Sequence, residues 1–206
     1  VYVTLEPCAH HGRTPPCVDA LLKAKPARVV AAMQDPNPRT AGKGFEQLRA
    51  AGITVDVGLM ETEARELNIG FVSRMTRGTP WVRMKVAASL DGRTALADGQ
   101  SQWITGPDAR RDGHAWRARA CAVLTGVGTV KDDDPQLNVR EVQTTRQPLR
   151  VVVDSRMQTP LTAKILGPGT IIAAAGADVP RSVALRAKGA EVVVLPNHES
   201  KVELPA

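Results

Sequence analysis

Apolar and polar positions along the chain fall into short blocks whose period switches between two residues and about 3.6, and the switches mark the elements. Val1-Tyr2-Val3-Thr4-Leu5 is β-branched and apolar, as in a buried strand. A loop follows, then a helix opening at Cys17. Arg28 to Met33 reads as a strand, Gly44 to Ala51 as a helix and Ile53 to Val57 as a strand. Glu61 to Met75 reads as a helix with Ala64, Leu67, Phe71, Val72 and Met75 on one side. This alternation predicts a largely parallel sheet. Thr76-Arg77-Gly78-Thr79-Pro80 then breaks the pattern with Gly and Pro, which places a boundary between a domain over 1–77 and another over 78–206.

The second segment opens on a predicted strand, Trp81 to Ala88, that turns at Asp91-Gly92. A helix follows from Pro107 in its first turn, carrying Arg110, Arg111, His114, Arg117 and Arg119 toward Cys121. Strands are predicted at Ala122 to Thr125, Leu149 to Val153, Thr170 to Ala175 and Glu191 to Leu195, with a helix at Arg181 to Lys188. This segment is α/β as well. Because the chain opens inside a strand without Met and closes soon after another, it is expected to be cut at both ends.

Composition narrows the function classes. A 43% hydrophobic and 23% charged chain is an ordinary globular one, not a disordered or fibrous one. No apolar run approaches the ~20 residues of a membrane span. The net charge of +6 is spread without a lysine-arginine block, and aromatics make up only 3% of residues. Such a surface suits small phosphate-bearing ligands better than a nucleic-acid track, which would want stacking platforms. Three cysteines, an odd number, without a signal peptide point to a reducing cytoplasm where thiols serve metals or chemistry.

The sharpest chemistry lies in Thr4-Leu5-Glu6-Pro7-Cys8-Ala9-His10-His11-Gly12-Arg13-Thr14-Pro15-Pro16-Cys17, a strand end, a loop and a helix start. Helix dipole and backbone amides are expected to favour thiolates there, and two thiolates are two zinc ligands. A catalytic zinc takes three protein ligands and a water. On spacing alone, two buried structural cysteines account for the pair equally well. Strand, Pro-Cys, second Cys and helix also form the downstream half of the zinc nucleobase deaminase signature, whose upstream half is His-x-Glu. Here eight residues separate the cysteines instead of two, and the insert holds His10, His11 and Arg13, side chains suited to a phosphate or ribose. Met33-Gln34-Asp35-Pro36-Asn37-Pro38 then makes a proline-bracketed loop at the carboxyl edge of the sheet, where open α/β folds bind ligands. Read by itself, that loop is a surface turn.

The segment from Glu6 to Cys17 resembles the deaminase domain of the bifunctional riboflavin-biosynthesis deaminase/reductase family, close to E-P-C-x-H-x-G-[KR]-T-P-P-C. Met84-Lys85-Val86-Ala87-Ala88-Ser89-Leu90-Asp91-Gly92-Arg93 and Ser101-Gln102-Trp103-Ile104-Thr105 are similar to its reductase domain. No G-x-G-x-x-G is present, so a Rossmann site is not indicated; Gly126-Val127-Gly128-Thr129-Val130 offers small residues that let backbone amides approach a pyrophosphate. The resemblance implies a cytidine-deaminase-like α/β/α domain lacking its N-terminal part, then a dihydrofolate-reductase-like α/β domain lacking its C-terminal part. It implies one Zn2+ on Cys8 and Cys17. It assigns to substrate His10, Arg13, Asp35, Asn37, Lys85, Ser101, Arg117, Leu137 and Arg140, the last two arginines suiting a ribose phosphate. It assigns NADPH to Ala87, Trp103, Thr129, Asp133 and Ser155. The substrate implied is a small phosphorylated pyrimidine, with no nucleic acid or membrane as partner, in a cytoplasmic homo-oligomer.

The His-x-Glu half is absent, so neither a third zinc ligand nor the proton-shuttling Glu can be named; Glu6 is no substitute, since it belongs to the T-L-E-P-C pattern itself. The reductase half is likewise expected to lack the last strands and the glycine-rich cofactor loop that the family places there, so the piece alone is expected to be inactive or nearly so in both steps. Alternatives are another zinc nucleobase or tRNA deaminase fused to an α/β domain, a folate-type reductase with a decayed deaminase domain, and a basic RNA-binding module with a structural zinc. His114 is expected to be partly exposed, Cys121 to be a small buried apolar group, and His198 to have no nameable partner.

Overall fold

A parallel sheet needs a crossover element between its strands, and each half of the chain supplies them. The computed structural model describes residues 1–204. The chain divides into two compact units, Val1–Met84 and Lys85–Ala206. Each is α/β with a parallel sheet.

In the first unit β1 (Tyr2–Val3), β2 (Arg28–Ala31) and β3 (Thr54–Val57) pair in that order, all parallel. Between them run α1 (Cys17–Ala24) and α2 (Lys43–Ala50), followed by α3 (Glu61–Leu67) and α4 (Ile69–Arg77). Central β2 is buried at Val29, Val30 and Ala31. Val29 and Ala31 meet Val18 of α1 and Phe45 and Leu48 of α2, while Ala32 and Met33 just beyond the strand meet Ala64 of α3 and Val72 of α4. Alternate residues of a strand face opposite sides, which is why helices can be held on both.

The second unit's sheet runs β4 (Ala122–Gly126), β5 (Leu149–Val153), β6 (Thr170–Ala174), β7 (Glu191–Val194), again all parallel. Its helices are α5 (Pro107–Arg119), α6 (Val127–Asp133) and α7 (Val179–Ala187). Val130 of α6, Val152, Ile172, Leu185 of α7 and Val192 form the core with Met157 and Ile165 from the β5–β6 connection. The small-residue stretch from Gly126 is the junction of β4 with the first turn of α6.

Three expected elements differ. The buried strand over 1–5 is reduced to Tyr2–Val3, with Val1 and Tyr2 exposed, because among the described residues β1 pairs on one side only, with β2. The single helix over 61–75 is interrupted at Asn68, whose φ of −105° and ψ of 19° leave the helical region and whose Nδ2 donates to the Ala64 carbonyl at 2.9 Å. An Asn side chain competes with the backbone for that carbonyl. The strand over 81–88 does not form: the stretch is neither strand nor helix and is unpaired, with Val82 and Met84 exposed. Its strand-forming side chains are as expected, but a strand also needs a neighbouring backbone, and none among the described residues pairs with it. Among the described residues no helix is long and apolar enough to cross a membrane.

Candidate functional site

In the first unit the site is organised by a buried carboxylate. Glu6, just past β1, accepts through Oε2 from the N–H groups of Asp35 at 3.2 Å and Gly42 at 2.9 Å, and through Oε1 from Gly44 N–H at 3.0 Å. These charge-assisted bonds tie the strand end to the Asp35–Gly42 loop and the start of α2. The close approach demands glycine at 44, because a Cβ there would lie 2.1 Å from the Pro7 carbonyl oxygen.

Around this hub the structure gathers most of the residues singled out in this half. Cys17 is the first residue of α1, and its N–H donates to Cys8 Sγ at 3.3 Å while Val18 N–H donates to the Cys8 carbonyl at 3.2 Å. His10 Nδ1 lies 3.3 Å from the hydroxyl of fully buried Thr40, which docks the insert on the Asp35 loop. Asp35 is buried and accepts from Asn37 N–H at 2.7 Å; Asn37 Oδ1 accepts from Arg39 N–H at 3.1 Å. Arg13 is exposed on the insert.

The thiol expectation needs correction. The hydrogen bond with Cys8 first, and burial second, push the Cys17 thiol above its ordinary pKa in spite of its place at a helix start. Two sulfurs so close disfavour a second negative charge beside the first, and a cation between them would reverse that balance. Two adjacent sulfur donors suit zinc. Among the described residues, however, no group of three or more His, Cys, Asp or Glu is arranged to hold a metal.

In the second unit the singled-out residues form clusters. Ser101 Oγ donates to Asp133 Oδ1 at 2.9 Å, and Thr129 stands one turn before Asp133 on α6. The Trp103 ring lies under the Arg110 guanidinium, 4.5 Å from its centroid. Ser155 Oγ accepts from Val202 N–H at 3.1 Å. Lys85 and Ala87 lie on the unpaired stretch, in no strand or helix.

The remaining cluster brings Arg117, Leu137 and Arg140 together. Arg117 Nη1 donates to the Asn138 carbonyl at 3.4 Å and Arg140 Nη1 to Asn138 Oδ1 at 3.3 Å. Leu137 holds a left-handed φ of 53° at the start of this turn. Burial first, and the Arg140 charge second, lower the Arg117 pKa, with the Glu141 carboxylate opposing them.

Sequence reasoning misplaced three side chains in this unit. His114 is the buried polar residue of α5, at 3% exposure, not a partly exposed one: its Nδ1 accepts from Arg140 N–H at 3.2 Å and its Nε2 lies 3.5 Å from Glu141 Oε1. An otherwise polar helix packs on this one side chain, which no apolar period reveals. Cys121 is exposed, because it precedes β4 instead of pointing into the core. His198 lies 3.9 Å from the Glu199 carboxylate on the surface. Asp154 went unnoticed; buried past β5, it accepts from the N–H groups of Gln158 and Thr159 and from the Thr159 hydroxyl. An acidic residue directly after an apolar strand was the available signal.

Known proteins add a decisive match. The family model described as RibD C-terminal domain matches residues 80–206. The chain belongs to the RibD C-terminal domain family. It is 54% identical over 181 residues to the riboflavin biosynthesis protein RibD of Escherichia coli K12, covering 82% of this chain and 49% of that protein. Against RibD of Aquifex aeolicus it is 47% identical over 197 residues, covering 95% of this chain and 55% of that one. The chain thus spans about half the length of the curated RibD relatives it matches. Among solved structures, Acinetobacter baumannii RibD superimposes with a TM-score of 0.83 at 47% identity, over 95% of this chain and 56% of that one. A Thermotoga maritima diaminohydroxyphosphoribosylaminopyrimidine deaminase/5-amino-6-(5-phosphoribosylamino)uracil reductase gives 0.77 at 34% identity, over 92% and 60%.

Proposed function

We propose that the chain is part of a bifunctional enzyme of riboflavin biosynthesis, its 78–206 part belonging to the NADPH-dependent reductase of 5-amino-6-(5-phosphoribosylamino)uracil and its 1–77 part to the zinc-dependent deaminase that prepares that compound. The observation that carries the reading is the RibD C-terminal domain match over 80–206, the stretch that also holds the Arg117–Leu137–Arg140 and Ser101–Asp133 clusters. A reductase of this substrate must hold a ribose phosphate and orient its C1 toward a hydride donor. Arg117 donates to the backbone carbonyl and Arg140 to the side-chain oxygen of the same residue, Asn138, which brings both guanidinium groups to one turn, and planar forks bind phosphate bidentately. Ser101 and Asp133 supply a hydroxyl and a carboxylate for sugar hydroxyls. Thr129, Asp133, Trp103, Ala87 and Ser155 are the residues that would hold NADPH, which when bound supplies the hydride.

In the other part, Cys8 and Cys17 would hold half of a zinc site; the ion when bound supplies an acidified water and a Lewis acid. His10 and Arg13 on the insert and Asp35 and Asn37 on the loop it docks against would bind the pyrimidine and its phosphate. Glu6 is saturated by backbone N–H donors and serves structure. The deaminase fold, the cytoplasmic location and the homo-oligomer belong to the same proposal.

Binding tests the reading directly. NADPH fluorescence titrated with the chain is expected to saturate, and Asp133→Ala to weaken binding about tenfold, the worth of one charge-assisted hydrogen bond. A folded chain that leaves the fluorescence unchanged defeats the reductase reading. Tight, steeply salt-dependent RNA binding, with log affinity falling by about 0.7–0.9 per phosphate contacted, would favour the nucleic-acid alternative.

A further inference from the structure

Two arginines side by side repel each other, so a receptor built from them needs something to hold the second in place. The Leu137–Glu141 turn is fixed on both flanks. On one, Gln147 accepts from Val139 N–H at 2.7 Å and donates to the Val139 carbonyl at 2.9 Å. On the other, the Arg140 N–H donates to His114 Nδ1 at 3.2 Å. An acceptor at Nδ1 places the ring proton on Nε2, which faces Glu141 Oε1 at 3.5 Å. His114 is also one helical turn from Arg117, so a single buried ring sits between α5 and the turn that carries the partner arginine.

We propose that His114 is the positioning residue that presents Arg117 and Arg140 as one receptor for the phosphate of a phosphorylated sugar, acting through the Arg140 backbone. The inference rests on the reading that these arginines take the substrate's phosphate. The groups facing the ring agree with a neutral imidazole: Arg117 from α5 and Arg140 from the turn disfavour a further positive charge, and only Glu141 favours one. A neutral ring keeps Nδ1 free to accept, and a protonated one would turn that nitrogen into a donor against an N–H.

The test is calorimetric titration of the 206-residue chain with ribose 5-phosphate. Arg117→Ala, Arg140→Ala and His114→Leu are each expected to weaken binding about tenfold or more, the size of one lost buried polar interaction. His114→Asn, whose Oδ1 can take the place of Nδ1, is expected to stay within about threefold of the parent chain. The double variant His114→Leu/Arg140→Ala is expected to bind no more weakly than Arg140→Ala, because a positioning residue has nothing left to position. Nitrogen-15 spectra should show the Nε2–H tautomer in the free chain.

If the arginine variants lose binding while His114→Leu does not, or if the double variant loses both increments in full, the positioning role is overturned and the phosphate reading survives. If the parent chain does not bind, or both arginine variants bind as the parent does, the phosphate reading falls and the positioning role with it. Should His114→Leu fail to fold, His114→Asn against His114→Gln decides: Gln carries its oxygen one bond past the Nδ1 position, and equal binding by the two overturns the proposal.

Discussion

Glu6 and Asp154 solve one problem in the two units: a loop leaving a buried strand end has backbone N–H groups that must find acceptors, and one ionised carboxylate satisfies several at once. The solution constrains its neighbours, most sharply at Gly44. Since the atom a Cβ would strike there is the Pro7 carbonyl oxygen at 2.1 Å, and backbone cannot swing aside as a side chain does, Gly44→Ala is expected to cost about 1–3 kcal/mol of overpacking in a denaturant melt, despite alanine's better helix propensity. Gly12→Ala, with open space around it, should melt within about 0.5 kcal/mol of the parent. His114 carries a pH dependence. Its folded pKa is lowered, by burial first and then by Arg117 and Arg140, so below the ordinary value of 6.5 the unfolded chain binds the proton more readily. Stability therefore rises with pH through this window and is lost as pH falls below about 6.5. Melts from pH 5 to 8 should show the parent losing more stability on acidification than His114→Asn; parallel profiles would refute it. The Glu6 motif was legible in the sequence as a pattern. That its carboxylate is the hub was not, because a carboxylate's burial depends on donors brought from about 30 to 40 residues away, as the Asp35 and Gly44 bonds show.

At the scale of elements, periodicity predicted what local chemistry decides. β4, β5, β6 and β7 form within a residue of their expected bounds, and β2 stops two residues short of its own, because short β-branched runs flanked by polar turns have few other fates. The 61–75 helix broke at Asn68, since period counts apolar positions and ignores a side chain that can take its own helix's carbonyl. The 81–88 strand fails for the opposite reason: its residues are right, but pairing is a property of two segments, and one sequence segment cannot report its neighbour. Helix starts are local again. Asp178 caps α7 by accepting from Arg181 N–H at 2.9 Å, and Pro180 sits in the first turn. Asp178→Ala is expected to lower stability by about 1 kcal/mol, and Asp178→Asn or Asp178→Ser by a few tenths, in denaturant titrations. Equal losses for all three would mean that the cap contributes through charge alone.

Over the whole molecule, three thiols report on function at once. Cys8 is half-buried, whereas Cys17 and Cys121 are exposed, so exposure alone predicts that an alkylating reagent reaches Cys17 and Cys121 first. The raised Cys17 pKa works against its modification, because the thiolate is the nucleophile. Zinc changes the order. A divalent ion shared by Cys8 and Cys17 takes both as thiolates and screens both sulfurs, while Cys121 lies in the other unit with no assigned metal role. Adding zinc is therefore expected to slow alkylation of Cys8 and Cys17 together by about tenfold or more and to leave Cys121 at its metal-free rate, as read by peptide mass spectrometry; tenfold corresponds to ~1.4 kcal/mol of protection. Cys8→Ala should abolish the protection of Cys17, since one thiolate is a poor ligand set. Uniform protection of all three thiols would mean non-specific metal binding, and no protection of Cys17 would mean that the two cysteines alone do not hold the ion. The pair was legible from sequence because both cysteines sit at element boundaries. The raised pKa of Cys17 was not, because it comes first from a side-chain hydrogen bond with Cys8, nine residues away, and then from burial, both of which only folding creates.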